Sequence, residues 1–177
     1  VYLVEKEKEP GGNLRRLEHL LDGRDPAVEL DAIVKRVKGS KKIHLYTGTA
    51  LKSVEGFFGN FKSAVASNGS KPVEFKHGVI IVATGAEESR SSAYLAMGDR
   101  NVMTQLDLEE KMAAGGLKDV KKVVMFQCIG VQDSDRGYCS RVCCTQAVKN
   151  ALRIKRASPE TEVFILHRDM RTYGFRE

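Results

Sequence analysis

The chain has 177 residues, 42% hydrophobic and 29% charged, with a formal net charge of +6 and a pI near 9.2. That composition is globular and excludes a disordered or collagen-like chain. No apolar run approaches the roughly 20 residues of a membrane helix. The basic excess is interleaved with acid, as in Glu5-Lys6-Glu7-Lys8-Glu9, and forms no basic stripe with exposed aromatics, so no nucleic-acid partner is expected.

The chain opens without Met on the apolar run Val1-Tyr2-Leu3-Val4, which reads as a strand buried on both faces. It ends as abruptly at Tyr173-Gly174-Phe175-Arg176-Glu177, so it is expected to be an internal fragment of a longer protein. No signal-peptide pattern opens it. Pro10-Gly11-Gly12-Asn13 is a turn signal. Leu14, Leu17, Leu20 and Leu21 recur at helical spacing and predict a helix over 14–21. Asp25-Pro26 reads as the N-cap and first residue of a second helix, with Leu30, Ile33, Val34 and Val37 as its apolar stripe.

From Lys42 the period becomes alternating, and Ile43–Thr47, Ala50–Val54, Asn60–Ala66 and Val73–Lys76 predict an antiparallel meander with Asn68-Gly69 as its strongest hairpin dipeptide. Val79-Ile80-Ile81-Val82-Ala83 predicts another wholly apolar strand, closed by Thr84-Gly85. A helix over 104–114 follows, then a buried strand over 120–127 that ends at Cys128. A loop carrying Gly130, Asp133, Asp135 and Gly137 leads to a helix over about 140–156, and a strand over 162–167 comes next. A strand–loop–helix–strand unit implies two parallel strands and a right-handed crossover.

All four cysteines fall within this unit, as Cys128-x10-Cys139-x3-Cys143-Cys144. Clustering of this kind does not suit a secreted disulfide framework and points to a reducing, cytoplasmic compartment. Cys128 ends a parallel strand, and the other three open the next helix, at the sheet edge where open α/β sheets bind ligands. A dinucleotide-binding unit would carry G-x-G-x-x-G here. If the helix starts early, Cys139 and Cys143 share one face at i and i+4. The helix N-terminus, Arg136 and Arg141 supply positive charge suited to thiolates. An iron–sulfur cluster is the leading reading. A zinc site, a redox disulfide (Cys139–Cys143 or Cys143–Cys144) and buried small hydrophobes compete with it. The spacing matches neither common ferredoxin pattern.

Glu5, after the first strand, stands where an acid can accept from ribose hydroxyls, and Gly11-Gly12 follow within reach. The order strand-Glu, Gly-Gly, helices, meander and an apolar strand ending Ala83-Thr84-Gly85 is the layout of flavoproteins with two dinucleotide-binding domains. The blocks V-Y-L-V-E-K-E, G-G-N-L-R-R-L, V-I-I-V-A-T-G-A, V-V-M-F-Q-C-I-G, Y-C-S-R-V-C-C-T-Q-A-V-K-N-A-L and H-R-D-M-R-T-Y-G-F together resemble the A subunit of heterodisulfide reductase and its relatives.

The resemblance implies a thioredoxin-reductase-like α/β fold, incomplete here, with a parallel sheet and an antiparallel meander. Residues 1–116, with the meander at 42–77, would be a partial FAD-binding domain. Residues 117–177 would be a partial second nucleotide-binding-like domain. It implies a [4Fe–4S] cluster on Cys128, Cys139, Cys143 and Cys144. Glu5 and Gly12 map to the FAD ribose and phosphate region and Thr84-Gly85 to a second flavin contact. Lys6, Gly11, Asn13 and Ala50 are counted with them as FAD-binding. The implied activity is that of an oxidoreductase component relaying or bifurcating electrons between FAD and iron–sulfur partners in anaerobic metabolism. Its partners would be other iron–sulfur or heterodisulfide reductase subunits. The chain departs from the family in lacking G-x-G-x-x-G and further ferredoxin-type cysteine motifs, so the isolated fragment is expected to be inactive and to hold FAD poorly.

Lys149 lies on the cysteine helix, and beside a flavin its ammonium would stabilise the reduced, anionic form. The plain alternative is an exposed helix lysine. His19, His44, His77 and His167 share no spacing with the cysteines and read as surface or strand-end residues. The competing function is a non-catalytic module in which zinc or a cluster staples a subunit-docking surface.

Overall fold

The structure, a computed structural model, describes residues 1–88, 98–129 and 137–173. The chain divides into two compact units, Val1–Ala86 and Glu87–Glu177. The division falls before the 116/117 boundary expected from sequence, because the helix at 105–113 packs within the second unit.

In the first unit, β1 (Tyr2–Val4) pairs in parallel with β2 (His44–Tyr46), Leu3 opposite Leu45. Between them runs α1 (Pro26–Gly39), whose Asp25 cap accepts the Ala27 N–H at 2.7 Å, as the Asp-Pro pair predicted. The meander is β3 (Thr49–Phe57), β4 (Asn60–Ser67) and β5 (Val73–His77), antiparallel in that order. Rings tie the two sheets together: Phe75 of β5 stacks on Tyr2 at 4.0 Å and lies 6.1 Å from Tyr46.

Four sequence expectations are corrected here. The strand at 43–47 belongs to the parallel pair and not to the meander. The helix expected over 14–21 is one 3-10 turn, Gly12–Arg16, ended by extended Leu17. Leu21 is 66% exposed, so burial does not offset the cost of nucleating a short helix. Residues 79–83 form no strand, and Ile81 is 86% exposed. Tyr2, Leu3 and Val4 are exposed instead of buried on both faces, because among the described residues β1 has a neighbour on one side only.

The second unit contains α2 (Gln105–Ala113), β6 (Lys122–Phe126), α3 (Cys143–Ala157) and β7 (Glu162–Leu166). Thr104 caps α2 in a reciprocal box with Asp107. β6 and β7 pair in parallel, Met125 opposite Ile165, as the strand–loop–helix–strand reading required. Strand alternation turns Val123 and Met125 toward Leu108, Ala147 and Ile154, which form the core, while Val124 and Phe126 face away and stay exposed. Buried Thr161 donates to the Val120 carbonyl at 2.8 Å and fixes the turn into β7. The molecule is thus α/β with parallel sheets and an antiparallel meander, as expected. Among the described residues no helix is long and apolar enough to cross a membrane.

Truncating Ile154, 2% exposed, to Ala should destabilise the protein by about 2–5 kcal/mol in urea unfolding. Truncating Leu152, 53% exposed on the same helix, should change it by less than about 0.5 kcal/mol. Equal effects would contradict this core.

Candidate metal centre

Cys128 lies two residues beyond β6 with φ +62°, a conformation that costs a residue with a Cβ roughly 1–2 kcal/mol. It turns the chain sharply off the strand. Such outliers persist where surrounding structure holds them, and they gather at functional sites. Gly130 and Arg136, in the loop that follows, lie outside the described residues.

The cysteine helix starts later than the sequence suggested. Arg141 has φ +64°, which cannot continue a right-handed helix, and α3 begins at Cys143. Cys139 therefore approaches from the preceding loop and does not share a helix face with Cys143. Its Sγ accepts the Arg141 backbone N–H at 3.3 Å. The Ser140 hydroxyl donates to Cys143 Sγ at 3.4 Å. Cys144 is 2% exposed, and its thiol donates to the Asp169 carbonyl at 3.8 Å. Burial pushes the Cys144 thiol up, the neighbouring Cys143 and Cys128 sulfurs add to that, and the Arg171 backbone N–H opposes it.

Cys143 and Cys128 thus both lie within electrostatic reach of Cys144, with Cys139 on the loop before α3. All four cysteines are free. Among the described residues no three His, Cys, Asp or Glu side chains are gathered tightly enough to hold a metal ion.

Two buried polar atoms beside the cysteines lack partners among the described residues: Gln127 Nε2, next to Cys128, and Thr145 Oγ1, next to Cys144. Burying an unpaired amide or hydroxyl is costly, so such atoms in a native fold call for an explanation. By donor chemistry, four free thiols supply the set a sulfur-rich centre uses, and a buried orphaned polar atom adjoins Cys128 and Cys144 in sequence.

Sequence reasoning gave no role to the segment after β7. Asp169 and Arg171 reach Cys144 through their backbones, and Arg141 lies over the Tyr173 ring at 5.4 Å. The Arg171 guanidinium bonds Asp169 at 2.9 Å, which with nearby Tyr173 keeps it charged. The H-R-D-M-R-T-Y-G-F block was the available signal.

Lys149 is not the exposed helix lysine of the plain alternative. It is 8% exposed, and its Nζ lies 2.6 Å from Glu109 Oε1 on α2, which is fully buried. Gln146 donates to the same oxygen at 3.3 Å. One turn on, Asn150 Nδ2 reaches the Gln105 side chain at 2.8 Å.

The residues expected to bind FAD lie in the first unit, and hydrogen bonds draw them together. Thr49, preceding Ala50, donates its N–H to the Glu5 carbonyl at 3.0 Å. The Glu5 carboxylate accepts the Glu7 N–H at 3.0 Å, and Lys6 between them is exposed. Gly11 has φ +134°, and a Cβ there would stand 2.7 Å from Leu30 Cδ2, so the Gly11-Gly12 turn approaches α1 as only glycine permits. Asn13 Nδ2 donates to the Ala86 carbonyl at 2.8 Å, joining that turn to the Thr84-Gly85 segment.

The comparisons with known proteins agree with the motifs. No family model matches the chain. It is 37% identical over 118 residues to the A subunit of the H2:CoB-CoM heterodisulfide,ferredoxin reductase of Methanothermobacter thermautotrophicus, covering 58% of this chain and 18% of that protein. It is 36% identical over 118 residues to the iron-sulfur A subunit of the CoB–CoM heterodisulfide reductase of Methanocaldococcus jannaschii, with the same coverage. Against the A subunit of the ferredoxin:CoB-CoM heterodisulfide reductase of Methanosarcina acetivorans it is 32% identical over 148 residues, covering 59% of this chain and 18% of that one. Over that stretch the chain is similar to heterodisulfide reductase A subunits, and it spans 18% of the length of these relatives. Among solved structures, L-proline dehydrogenase from P. horikoshii gives a TM-score of 0.49 at 16% identity, covering 93% of this chain and 30% of that one, a likeness too low to argue from.

Removing one partner of the buried pair, as in Lys149→Met, should cost about 3–5 kcal/mol in chemical unfolding, whereas Glu109→Leu with Lys149→Met should recover most of it. Additive losses in that double-mutant cycle would show that the two charges do not act as a pair.

Proposed function

We propose that this chain is part of an FAD and [4Fe–4S] electron-transfer oxidoreductase of the heterodisulfide reductase A kind, with Cys128, Cys139, Cys143 and Cys144 as the cluster ligands. The observation that carries this reading is the placement of Cys128 just past the end of β6 and of Cys143 and Cys144 at the start of α3, the two ends that a parallel crossover brings to one sheet edge, with buried orphaned polar atoms on the neighbouring residues Gln127 and Thr145. The relatives named as reductase subunits, one of them as an iron-sulfur subunit, support it. In this reading the units belong to a flavoprotein with two dinucleotide-binding domains, the FAD residues in a region reaching to 116 and the cysteine loop in 117–177. The working protein is cytoplasmic and relays or bifurcates electrons between FAD and iron–sulfur partner subunits.

A bound cluster supplies one-electron transfer and FAD two-electron exchange. The chain's own residues do the rest. The Arg141 N–H on Cys139 Sγ, the Arg171 N–H by Cys144 and the first-turn N–H groups of α3 each favour the thiolate, against the burial that raises the Cys144 thiol. Glu5 and Lys6 at the end of β1, the Gly11-Gly12-Asn13 turn, Ala50 and Thr84-Gly85 line the FAD region. Lys149 tunes the flavin by its charge, with Glu109 as counter-charge. The paired replacement Lys149→Met with Glu109→Gln should therefore shift the potential of bound flavin. An unchanged potential removes that role.

Anaerobically purified protein should contain iron and acid-labile sulfide in equal amounts, and Cys144→Ser should lower both. One zinc per chain without sulfide would overturn the cluster in favour of the metal-stapled docking module.

A further inference from the structure

Gln127 is a buried polar residue whose side chain the fold leaves unexplained. It is 8% exposed, and its Nε2 atom has no hydrogen-bond partner among the described residues. Its backbone N–H is used, donating to the Leu166 carbonyl at 2.8 Å as a continuation of the β6–β7 ladder. The side-chain amide is left over. Leaving a buried amide unpaired is destabilising, so an apolar residue would serve packing better.

The register says where that amide points. Along β6, Val123 and Met125 face α3, and two residues further Gln127 falls on the same face. Met125 and Ala147 belong to the same buried cluster. A parallel crossover returns the helix antiparallel to the strand, so the strand's C-terminal end lies against the helix N-terminus. Two residues of strand advance about 6.6 Å, which equals roughly four residues of helix. Four residues back from Ala147 is Cys143, with Cys144 beside it. By this count of ideal rises the Gln127 position falls level with the two adjacent cysteines, while its own successor, Cys128, has a left-handed backbone.

We propose that the Gln127 side-chain amide donates an N–H···S hydrogen bond to the sulfur set held by Cys128, Cys143 and Cys144, and so sets the reduction potential of the centre. The inference rests on the cluster reading above. Reduction adds negative charge to the sulfurs, and a donor aimed at them stabilises the reduced state more than the oxidised one. Gln127 acts on the centre directly, as a hydrogen-bond donor. It supplies no ligand and exchanges no proton.

The test is a redox titration of the iron–sulfur signal in anaerobically prepared wild type, Gln127→Leu and Gln127→Glu. Both variants lose the donor, and the second keeps the shape. Each is expected to hold as much iron and sulfide as wild type and to have a more negative midpoint potential. Equal iron with unchanged potentials in both variants overturns this inference and leaves the cluster reading standing. Wild type without iron and sulfide overturns the cluster reading beneath it. A measurement on wild type covers variants that fail to fold: with glutamine amides labelled with 15N, the reduced centre should show a 15N coupling, and its absence overturns the proposal.

Discussion

Two parallel strands cannot be joined by a hairpin, and most of the second unit follows from that constraint. β6 and β7 pair in parallel, so the chain between them must cross over, and it does so through α3. The returning helix brings its N-terminus to the strand's C-terminal end. Cys128, past the end of β6, and Cys143 and Cys144, at the start of α3, are therefore brought to the same sheet edge, although no short motif links them. In nucleotide-binding folds this edge holds phosphate on backbone N–H groups. Here the residues at the same edge are cysteines, and the positive helix end that suits phosphate also suits thiolates.

The same geometry carries its costs locally. Cys128 and Arg141 take left-handed backbone conformations on either side of the loop, and Gln127 and Thr145 are buried with unpaired atoms. Rigid packing one or two turns away holds these features in place. Met125, Ala147 and Ile154 form the core, and the Glu109–Lys149 pair with the Asn150–Gln105 bond fixes α3 against α2. A buried ion pair of this kind adds little net stability against an apolar replacement, but it is costly to break singly. It therefore specifies which faces of the two helices meet.

Much of this was legible in the sequence. The Asp25-Pro26 cap, the parallel pair around the cysteine loop and the three-stranded core of the meander each rest on local chemistry, and each is present. Residues 14–21 and 79–83 misled because apolar spacing records a tendency to be buried and not the partner that buries it. The start of α3 was misjudged by three residues because nothing in Cys139–Val142 announces the left-handed Arg141. Lys149 read as a surface residue because its partner, Glu109, lies far off in sequence on another helix. The proposed ligand set was visible as four clustered cysteines. The contacts from Asp169 and Arg171 were not, because they run through the backbone and leave no side-chain pattern.

The central claim is that the four cysteines surround one iron–sulfur centre. Anomalous diffraction at the iron absorption edge, from crystals grown without oxygen, tests it most directly. The account predicts one compact group of iron peaks bonded by the sulfurs of Cys128, Cys139, Cys143 and Cys144. A disulfide between any two of them, or iron bound elsewhere with these thiols free, would contradict it.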